Sequence, residues 1–188
     1  LPDMNRPLSL LLLLGLASLL PELRAAGELG ASQPLAAELK ADRVVITVAG
    51  KVFTEYLFKA DEKYPYFFPV NGPRSGRSVT TCRTEPFPHH SSIFFGCDKV
   101  SGGNYWQEGL VRGRIVSKDV KLICAAGNEV VFEQDCRWER TGADAPFDDH
   151  RRITVSTPSA DERLIDFDVT LTARIKVRID KTNHSLFS

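Results

Sequence analysis

Three of the four histidines lie next to turn-forming residues, where an imidazole can reach a ligand. His89 and His90 stand between a proline-rich stretch and the apolar run at 92–95, and His184 follows a long alternating segment. An imidazole titrates near neutral pH, so each of the three is a candidate catalytic acid or base. Since neighbouring residues of a strand point to opposite faces, at most one of His89 and His90 is expected to line a given pocket. The alternative is that each ring only bonds to the backbone of its own loop.

Polar and aromatic side chains near two turns are candidates for binding a ligand. Asn104 and Trp106 follow a Gly-Gly turn, and Arg74 lies in a loop rich in Gly and Ser. An aromatic face stacks well on the C–H face of a sugar ring, while an amide or a guanidinium bonds to its hydroxyls. We therefore expect Arg74, Asn104 and Trp106 to bind substrate. Packing of Trp106 in the core and solvation of Arg74 are the alternatives.

Patterns typical of metal sites are missing from the sequence. Asp98 and Glu108 are possible carboxylate partners for the histidines, but the sequence does not fix their geometry. It contains no Cys-x-x-Cys pair and no Cys/His spacing typical of zinc. It also shows no His/His/carboxylate triad and no helical Glu-x-x-His pairs of the kind that hold iron. The sequence therefore predicts neither a bound metal nor a cofactor.

The four cysteines could form disulfides if the chain is exported, and three complete pairings are open. Cys124 and Cys136 lie on the two strands of an expected hairpin, with Cys136 about seven residues from the position opposite Cys124. At ~3.3 Å per residue they are more than about 20 Å apart, which is too far for a disulfide. Cys82–Cys97 is the candidate pair, and four unpaired buried thiols are the alternative.

The N-terminus has the three parts of a secretory signal. Arg6 follows the start residue Met4, an apolar run extends over 8–20, and small residues that suit cleavage occupy 25–27. The run is too short for a transmembrane helix, which needs roughly 20 residues. We expect an exported protein, periplasmic or extracellular, with a signal peptide at 4–27, a leader at 28–42 and one domain at 43–188.

Composition narrows the choice of partner. Lys and Arg together number 24, as do Asp and Glu, so the formal net charge is zero. A protein that binds nucleic acid through phosphates would show a basic excess. We expect no nucleic acid and no membrane span after signal cleavage. A small molecule or a glycan is the expected ligand, and the sequence leaves the oligomeric state open.

Alternation of apolar and polar residues predicts an all-β, antiparallel sandwich. Hairpins are expected over 44–58 and over 114–139, and an edge strand or extended loop over 64–70. The clearest pattern spans 164–179, where one parity is apolar throughout and the other polar. It predicts a sixteen-residue strand, well above the usual length of about 5–6. Because the apolar run at 185–187 meets no turn, we expect partner strands beyond Ser188.

Six segments carry a resemblance to a known family. They are residues 65–73 (PYFFPVNGP), 78–80 (SVT), 88–96 (PHHSSIFFG), 102–106 (GGNYW), 164–167 (LIDF) and 181–187 (KTNHSLF). In this order they resemble the exported bacterial family known as methane oxygenase PmoA, or PmoA-like. The resemblance runs from about Val44 to Ser188 and covers the front half to two-thirds of that family's domain.

The resemblance implies a β-supersandwich similar to galactose mutarotase, in which a histidine and a carboxylate open and close a sugar ring. It favours a carbohydrate-active enzyme, such as an epimerase, lyase or hydrolase. A non-catalytic glycan-binding or structural envelope protein is the second hypothesis. A metal-dependent oxygenase, as the family name suggests, is the third. It is disfavoured because a membrane methane monooxygenase subunit needs several transmembrane helices.

Overall fold

The computed structural model describes residues 32–107, 109–182, 184 and 186–187. Over these residues the chain forms antiparallel strands in two sheets. The predicted signal peptide at 4–27, the first part of the leader and Glu108 lie outside the described residues. The strands are β1 (Leu35–Leu39), β2 (Arg43–Val48), β3 (Lys51–Leu57), β4 (Tyr66–Val70), β5 (Ile93–Phe94), β6 (Arg114–Cys124), β7 (Ala126–Gly127), β8 (Glu129–Glu139), β9 (Phe147–Ser156) and β10 (Leu164–Ala173).

The first sheet has the strand order β5-β4-β3-β2-β1-β7. Its central hairpin joins β2 to β3 through Ala49 and Gly50, whose φ angles of 48° and 76° give the left-handed turn that two-residue hairpins favour. Val44 and Ile46, on one face of β2, are fully buried. The predicted hairpin over 44–58 is thereby confirmed.

The second sheet has the order β10-β9-β8-β6. The hairpin predicted over 114–139 is confirmed, with β6 and β8 as its strands. Cys124 lies opposite Val131, and Cys136 lies opposite Ser117. The two cysteines are thus well separated along the hairpin, as the sequence predicted.

The long strand predicted over 164–179 is shorter than expected and ends at Ala173. Ala173 pairs with Phe147, the first residue of β9, so the neighbouring strand offers no further partner beyond that point. Half-buried Ile165 and Phe167 still face the core, as the alternation predicted. After Ala173 the chain leaves the second sheet, and Ile179 forms an isolated bridge with Val100, in the connection between β5 and β6.

Three further expectations need correction. Residues 35–39, expected to be leader, form β1, which pairs with β2 and β7 and buries Leu35. β4 is an interior strand, because the two-residue β5 covers its outer side. The sequence also predicts a strand over 151–156, but β9 begins at Phe147. Residues 148–150 alternate in burial but are polar or charged, so apolar alternation does not mark them.

The core lies in two clusters. The first fills the space between the sheets, with Ile46 and Tyr56 from one sheet and Phe132 and Ile153 from the other. The second is rich in aromatic residues and packs beneath the long connections around β5. This architecture confirms the antiparallel β-sandwich. Within the part of the chain that the structure describes, no helix is long and apolar enough to cross a membrane.

Candidate functional site

The end of the described chain runs beside residues 96–101 and is held there by backbone hydrogen bonds. The Ser101 amide donates to the Arg178 carbonyl at 2.7 Å, the Asp180 amide to the Lys99 carbonyl at 3.0 Å, and the Gly96 amide to the Leu186 carbonyl at 2.9 Å. These contacts place the segment around residue 182 against Asp98.

Asp98 and His184 form a hydrogen-bonded pair. Oδ2 of Asp98 lies 2.8 Å from His184 Nδ1 and accepts a second bond from the Thr182 hydroxyl at 2.7 Å. The aspartate side chain is 5% exposed and the imidazole 27%. Burial alone would raise the pKa of Asp98, but the hydrogen bonds from His184 and Thr182 outweigh it and hold the pKa below its usual value. The carboxylate is therefore ionised at neutral pH and orients the ring.

His184 is the last ring of an aromatic column. Tyr64 stacks on Phe94 with centroids 4.0 Å apart, Phe94 contacts Trp106 at 4.6 Å, and Trp106 stacks on His184 at 5.3 Å with an interplanar angle of 13°. The column connects strand β5 to the two flanking connections. One face of the catalytic candidate is thus fixed by packing and one nitrogen by Asp98.

The connection that carries Trp106 is held in place from two sides. The Asn104 side-chain oxygen accepts from the amides of Trp106 and Gln107 at 2.9 and 3.0 Å. Lys63 donates its ammonium to the carbonyls of Asn104, Gly109 and Gly113. These bonds fix the backbone on both sides of the indole.

His89 and His90 lie in a turn and not on a strand, and their rings touch edge to face with centroids 4.5 Å apart. The Tyr64 hydroxyl donates to the His89 carbonyl at 2.9 Å, which ties this loop to the aromatic column. Burial lowers the pKa of His89, and the imidazoles of His90 and His184 lower it further. His89 therefore favours its neutral form, and His184 is near enough to affect it.

A cavity of about 250 Å³ opens beside these groups. Its wall includes His89, Trp106, Tyr64, Arg83 and Gln107. A larger groove of about 720 Å³, lined by residues 39–42, 58–61 and 117–120, contains no histidine and lies against other strands. The wall of the smaller cavity includes one of the candidate acid–base groups, His89.

Two buried polar atoms next to His184 have no hydrogen-bond partner. They are Oδ1 of Asp98 and the indole Nε1 of Trp106. Buried polar atoms are normally bonded, and an exception in a native fold calls for an explanation such as a bound water or ligand. Here one acceptor and one donor are left open around the same imidazole.

The predicted site residues fall into two groups. His89 and Trp106 line the cavity. His184 stacks on Trp106 and bonds to Asp98, but neither His184 nor Asp98 is among the described residues of the cavity wall. His90 is exposed and stacks on Phe87.

Asn104 and Arg74 take other places. Asn104 is buried and bonds to backbone amides. Arg74 pairs with Asp161 in the connection from β9 to β10, at 2.9 Å, so the structure does not bring it to the cavity.

Sequence reasoning missed Tyr64 and Lys63. Tyr64 is the base of the aromatic column, and Lys63 holds the Trp106 connection. Tyr64 begins the segment 64–70, for which the sequence predicts only an edge strand or extended loop, and Lys63 directly precedes that segment. The charge of Lys63 among aromatic residues was the available signal, because a lysine with an apolar stem can cap buried carbonyls.

All four cysteines are free thiols, so the Cys82–Cys97 disulfide is not present in the structure. Burial raises the pKa of the Cys82 and Cys97 thiols and raises that of Cys136 to about 12. Among the described residues, no group of three His, Cys, Asp or Glu side chains is placed to hold a metal ion.

Comparison with known proteins gives a family and no function. No curated protein and no solved structure matches the chain significantly. The profile of one family, described as "Family of unknown function (DUF6807)", matches residues 43–188. Because this match covers well over half of the sequence, the chain belongs to that family of unknown function.

Proposed function

We propose that the protein is an exported carbohydrate-active enzyme that moves protons with His89, which lines the cavity, and with His184, which stacks on Trp106 of the cavity wall. The observation that carries the proposal is the Asp98–His184 hydrogen bond at 2.8 Å, with the imidazole stacked on Trp106. The resemblance to PmoA-like proteins supports it, since that resemblance implies a fold similar to galactose mutarotase.

Asp98 sets the tautomer of His184 in this proposal. An ionised carboxylate at Nδ1 favours the tautomer that carries its proton there, which leaves Nε2 to take or give a proton. The carboxylate then stabilises the imidazolium that forms. The lowered pKa of His89 keeps that second ring neutral and ready to act as a base near pH 7.

Ligand binding is assigned to the aromatic surfaces. The largely buried rings of Trp106 and Tyr64 form the aromatic part of the cavity wall, and Gln107 offers an amide to the hydroxyls of a sugar. A cavity of about 250 Å³ suits a single sugar ring or the end of a chain.

Paired variants test the proposal. A panel of monosaccharides and oligosaccharides is screened for binding by ligand-observed NMR and for conversion by NMR of the products. His184→Gln and His89→Gln should keep binding and lose at least about 100-fold in turnover, the usual contribution of a general acid or base. His150→Gln is the matched control, because His150 bonds to Asp135 at the same 2.8 Å but on an exposed surface. Unchanged turnover in the first two variants would end the acid–base assignment.

The non-catalytic alternative has its own outcome in this experiment. The unpaired Trp106 Nε1 and the aromatic column are also what a glycan-binding module would use. The protein would be such a module if the wild type binds a sugar but converts none of the panel, and if the Trp106→Ala variant no longer binds that sugar. Absence of both binding and conversion would contradict the carbohydrate proposal as a whole.

Export is a separate part of the proposal. The signal at 4–27 predicts that the protein reaches its ligand outside the cytoplasm. Expression of the full chain in a bacterial host, followed by fractionation and N-terminal sequencing, should give a secreted form that starts after residue 25 or 27. A cytoplasmic product with its N-terminus intact would contradict it.

A further inference from the structure

The cationic side chains of the cavity are already engaged by the protein. Lys63 and Arg83 are the lysine and arginine among its described lining residues. Arg83 forms an ion pair with Glu62 and lies over the Tyr66 ring, with 5.5 Å from its guanidinium carbon to the ring centroid. Lys63 donates to three backbone carbonyls. An incoming carboxylate or phosphate would have to compete with these partners for a counter-ion.

Negative charge lies close to the proposed reaction centre. Asp98 is ionised and buried beside His184, and its Oδ1 has no partner. A second anion near it would meet a like charge in a poorly solvated position, where repulsion is only weakly screened. His89 offers no compensation, because its neutral form is favoured.

The two unpaired atoms match a group that both donates and accepts. The Trp106 Nε1–H needs an acceptor, and Asp98 Oδ1 needs a donor. A hydroxyl satisfies either atom, whereas a carboxylate or phosphate oxygen without a proton can serve only the indole. The indole lies against the face of the His184 ring and the carboxylate at its Nδ1 edge, so both unpaired atoms belong to side chains that contact the same imidazole.

From these three observations we infer that the site selects uncharged, hydroxyl-rich ligands and rejects sugars that carry a carboxylate or a phosphate. The inference rests on the proposed function and names its substrate class: neutral sugars and polyols, to the exclusion of uronates and sugar phosphates. The selectivity comes from Lys63 and Arg83, whose charges already have partners in the protein, and from Asp98, whose Oδ1 has none.

Matched ligand pairs test the inference on the full domain. Methyl glucoside is compared with methyl glucuronide, methyl galactoside with methyl galacturonide, and mannose with mannose 6-phosphate, by calorimetry or NMR at pH 7.5 in low salt. The neutral member of the best-binding pair should bind at least about tenfold more tightly. An acidic member that binds as tightly or more tightly overturns the inference, while the carbohydrate proposal survives. Failure of every ligand to bind overturns both.

Two substitutions sharpen the test. Glu62→Gln removes the partner of Arg83, so affinity for the acidic member should rise at least about threefold while affinity for the neutral member stays the same. Glu133→Gln is the control, because it frees Arg152 on the exposed face of the second sheet, where 2.6 Å separates the two side chains. Trp106→Phe keeps a stacking ring but removes the N–H, and it should weaken the neutral ligand. Unchanged neutral affinity in Trp106→Phe, or no gain in Glu62→Gln, would contradict the assignment.

Discussion

The chain contains two His–Asp pairs with the same 2.8 Å separation and very different surroundings. In the His184–Asp98 pair the carboxylate is 5% exposed, whereas in the His150–Asp135 pair both side chains are about half exposed. Water screens the exposed pair, and contacts of that kind contribute little to stability. Water has little access to the buried Asp98 carboxylate and cannot easily take the place of His184 as its partner. The hydrogen bond therefore keeps its geometry, and the carboxylate can control the tautomer of His184.

Removing the buried carboxylate should therefore cost more than removing the exposed one. Asp98→Ala leaves the Thr182 hydroxyl and His184 Nδ1 without their acceptor, and we expect a loss of about 1–3 kcal/mol in the free energy of unfolding. Asp135→Ala should lose less than about 1 kcal/mol. Urea denaturation of both variants and wild type measures the difference. Equal losses would mean that burial does not distinguish the two pairs.

The lowered pKa of His89 gives a prediction on pH. In the unfolded chain this ring titrates near the ordinary value of about 6.5, and in the fold it binds its proton less readily. Between these two pKa values the unfolded state carries more protons, so His89 makes stability fall as pH drops through about 6.5. NMR titration of the ring protons should place the His89 midpoint below that of an unfolded peptide.

The cause can be tested in the same experiment. Burial is the larger contribution, and the His90 imidazole adds to it, so His90→Gln should raise the His89 midpoint without restoring the ordinary value. A wild-type midpoint above that of the unfolded peptide would contradict the assignment, because the nearby charges would then have the wrong sign.

At the scale of elements, a close backbone approach holds the site together. A Cβ at Gly96 would lie 2.7 Å from the Tyr105 carbonyl oxygen, and the Gly96 amide bonds to Leu186 on the segment that carries His184. Only glycine at position 96 lets these segments come so close.

Gly96→Ala should therefore loosen the site as well as the fold. We expect a loss of about 1–3 kcal/mol, the usual cost of overpacking, together with faster amide hydrogen exchange around residues 96–106. Gly109→Ala is the control, since a Cβ there meets nothing within 4 Å. A stability equal to wild type in Gly96→Ala would show that the two segments can separate freely.

The elements also show how far the sequence could predict the structure. Both hairpins follow from alternation and turn residues, because register along neighbouring strands is a local property. The end of β10 does not follow from the local pattern. Its last residue, Ala173, pairs with Phe147, the first residue of β9, which lies 26 residues earlier in the sequence. The pairing of Asp98 with His184 was equally out of reach. It joins residues 86 apart through a crossing of two irregular segments, and no periodicity marks it.

At the scale of the whole molecule, a buried polar network connects the two sheets. Arg151 and Asp149, both 0% exposed, form an ion pair on β9 at 2.8 Å. Arg151 also donates to the Tyr56 hydroxyl from the other sheet at 3.1 Å, and the Trp138 indole donates to Asp149 at 2.6 Å. The Tyr56 hydroxyl in turn donates to Gln134 at 2.6 Å.

This network explains an anomaly in the sequence pattern. Gln134, Asp149 and Arg151 occupy positions where alternation along β8 and β9 demands apolar residues. Because each is bonded, the fold avoids the cost of an unpaired buried charge, and the bonds between Tyr56 and the second sheet fix how the sheets are placed. A network of this kind contributes less to net stability than to the choice of one arrangement.

Breaking the ion pair from one side should be far worse than neutralising it. Arg151→Met leaves Asp149 charged and buried, so we expect a loss of about 3–5 kcal/mol. The double variant Arg151→Met with Asp149→Asn carries no buried charge, and its amide oxygen still accepts from Trp138, so it should recover more than half of that loss. Arg152→Met, which breaks the exposed pair with Glu133 on the same two strands, should lose less than about 1 kcal/mol.

Urea denaturation of wild type, Arg151→Met, Asp149→Asn and the double variant gives the coupling energy between positions 149 and 151. A double variant whose loss equals the sum of the Arg151→Met and Asp149→Asn losses would show that the two charges do not depend on each other. Recovery in the double variant means that the charge left behind, and not the lost contact, is what destabilises Arg151→Met. The two charges would then have to be kept or removed together.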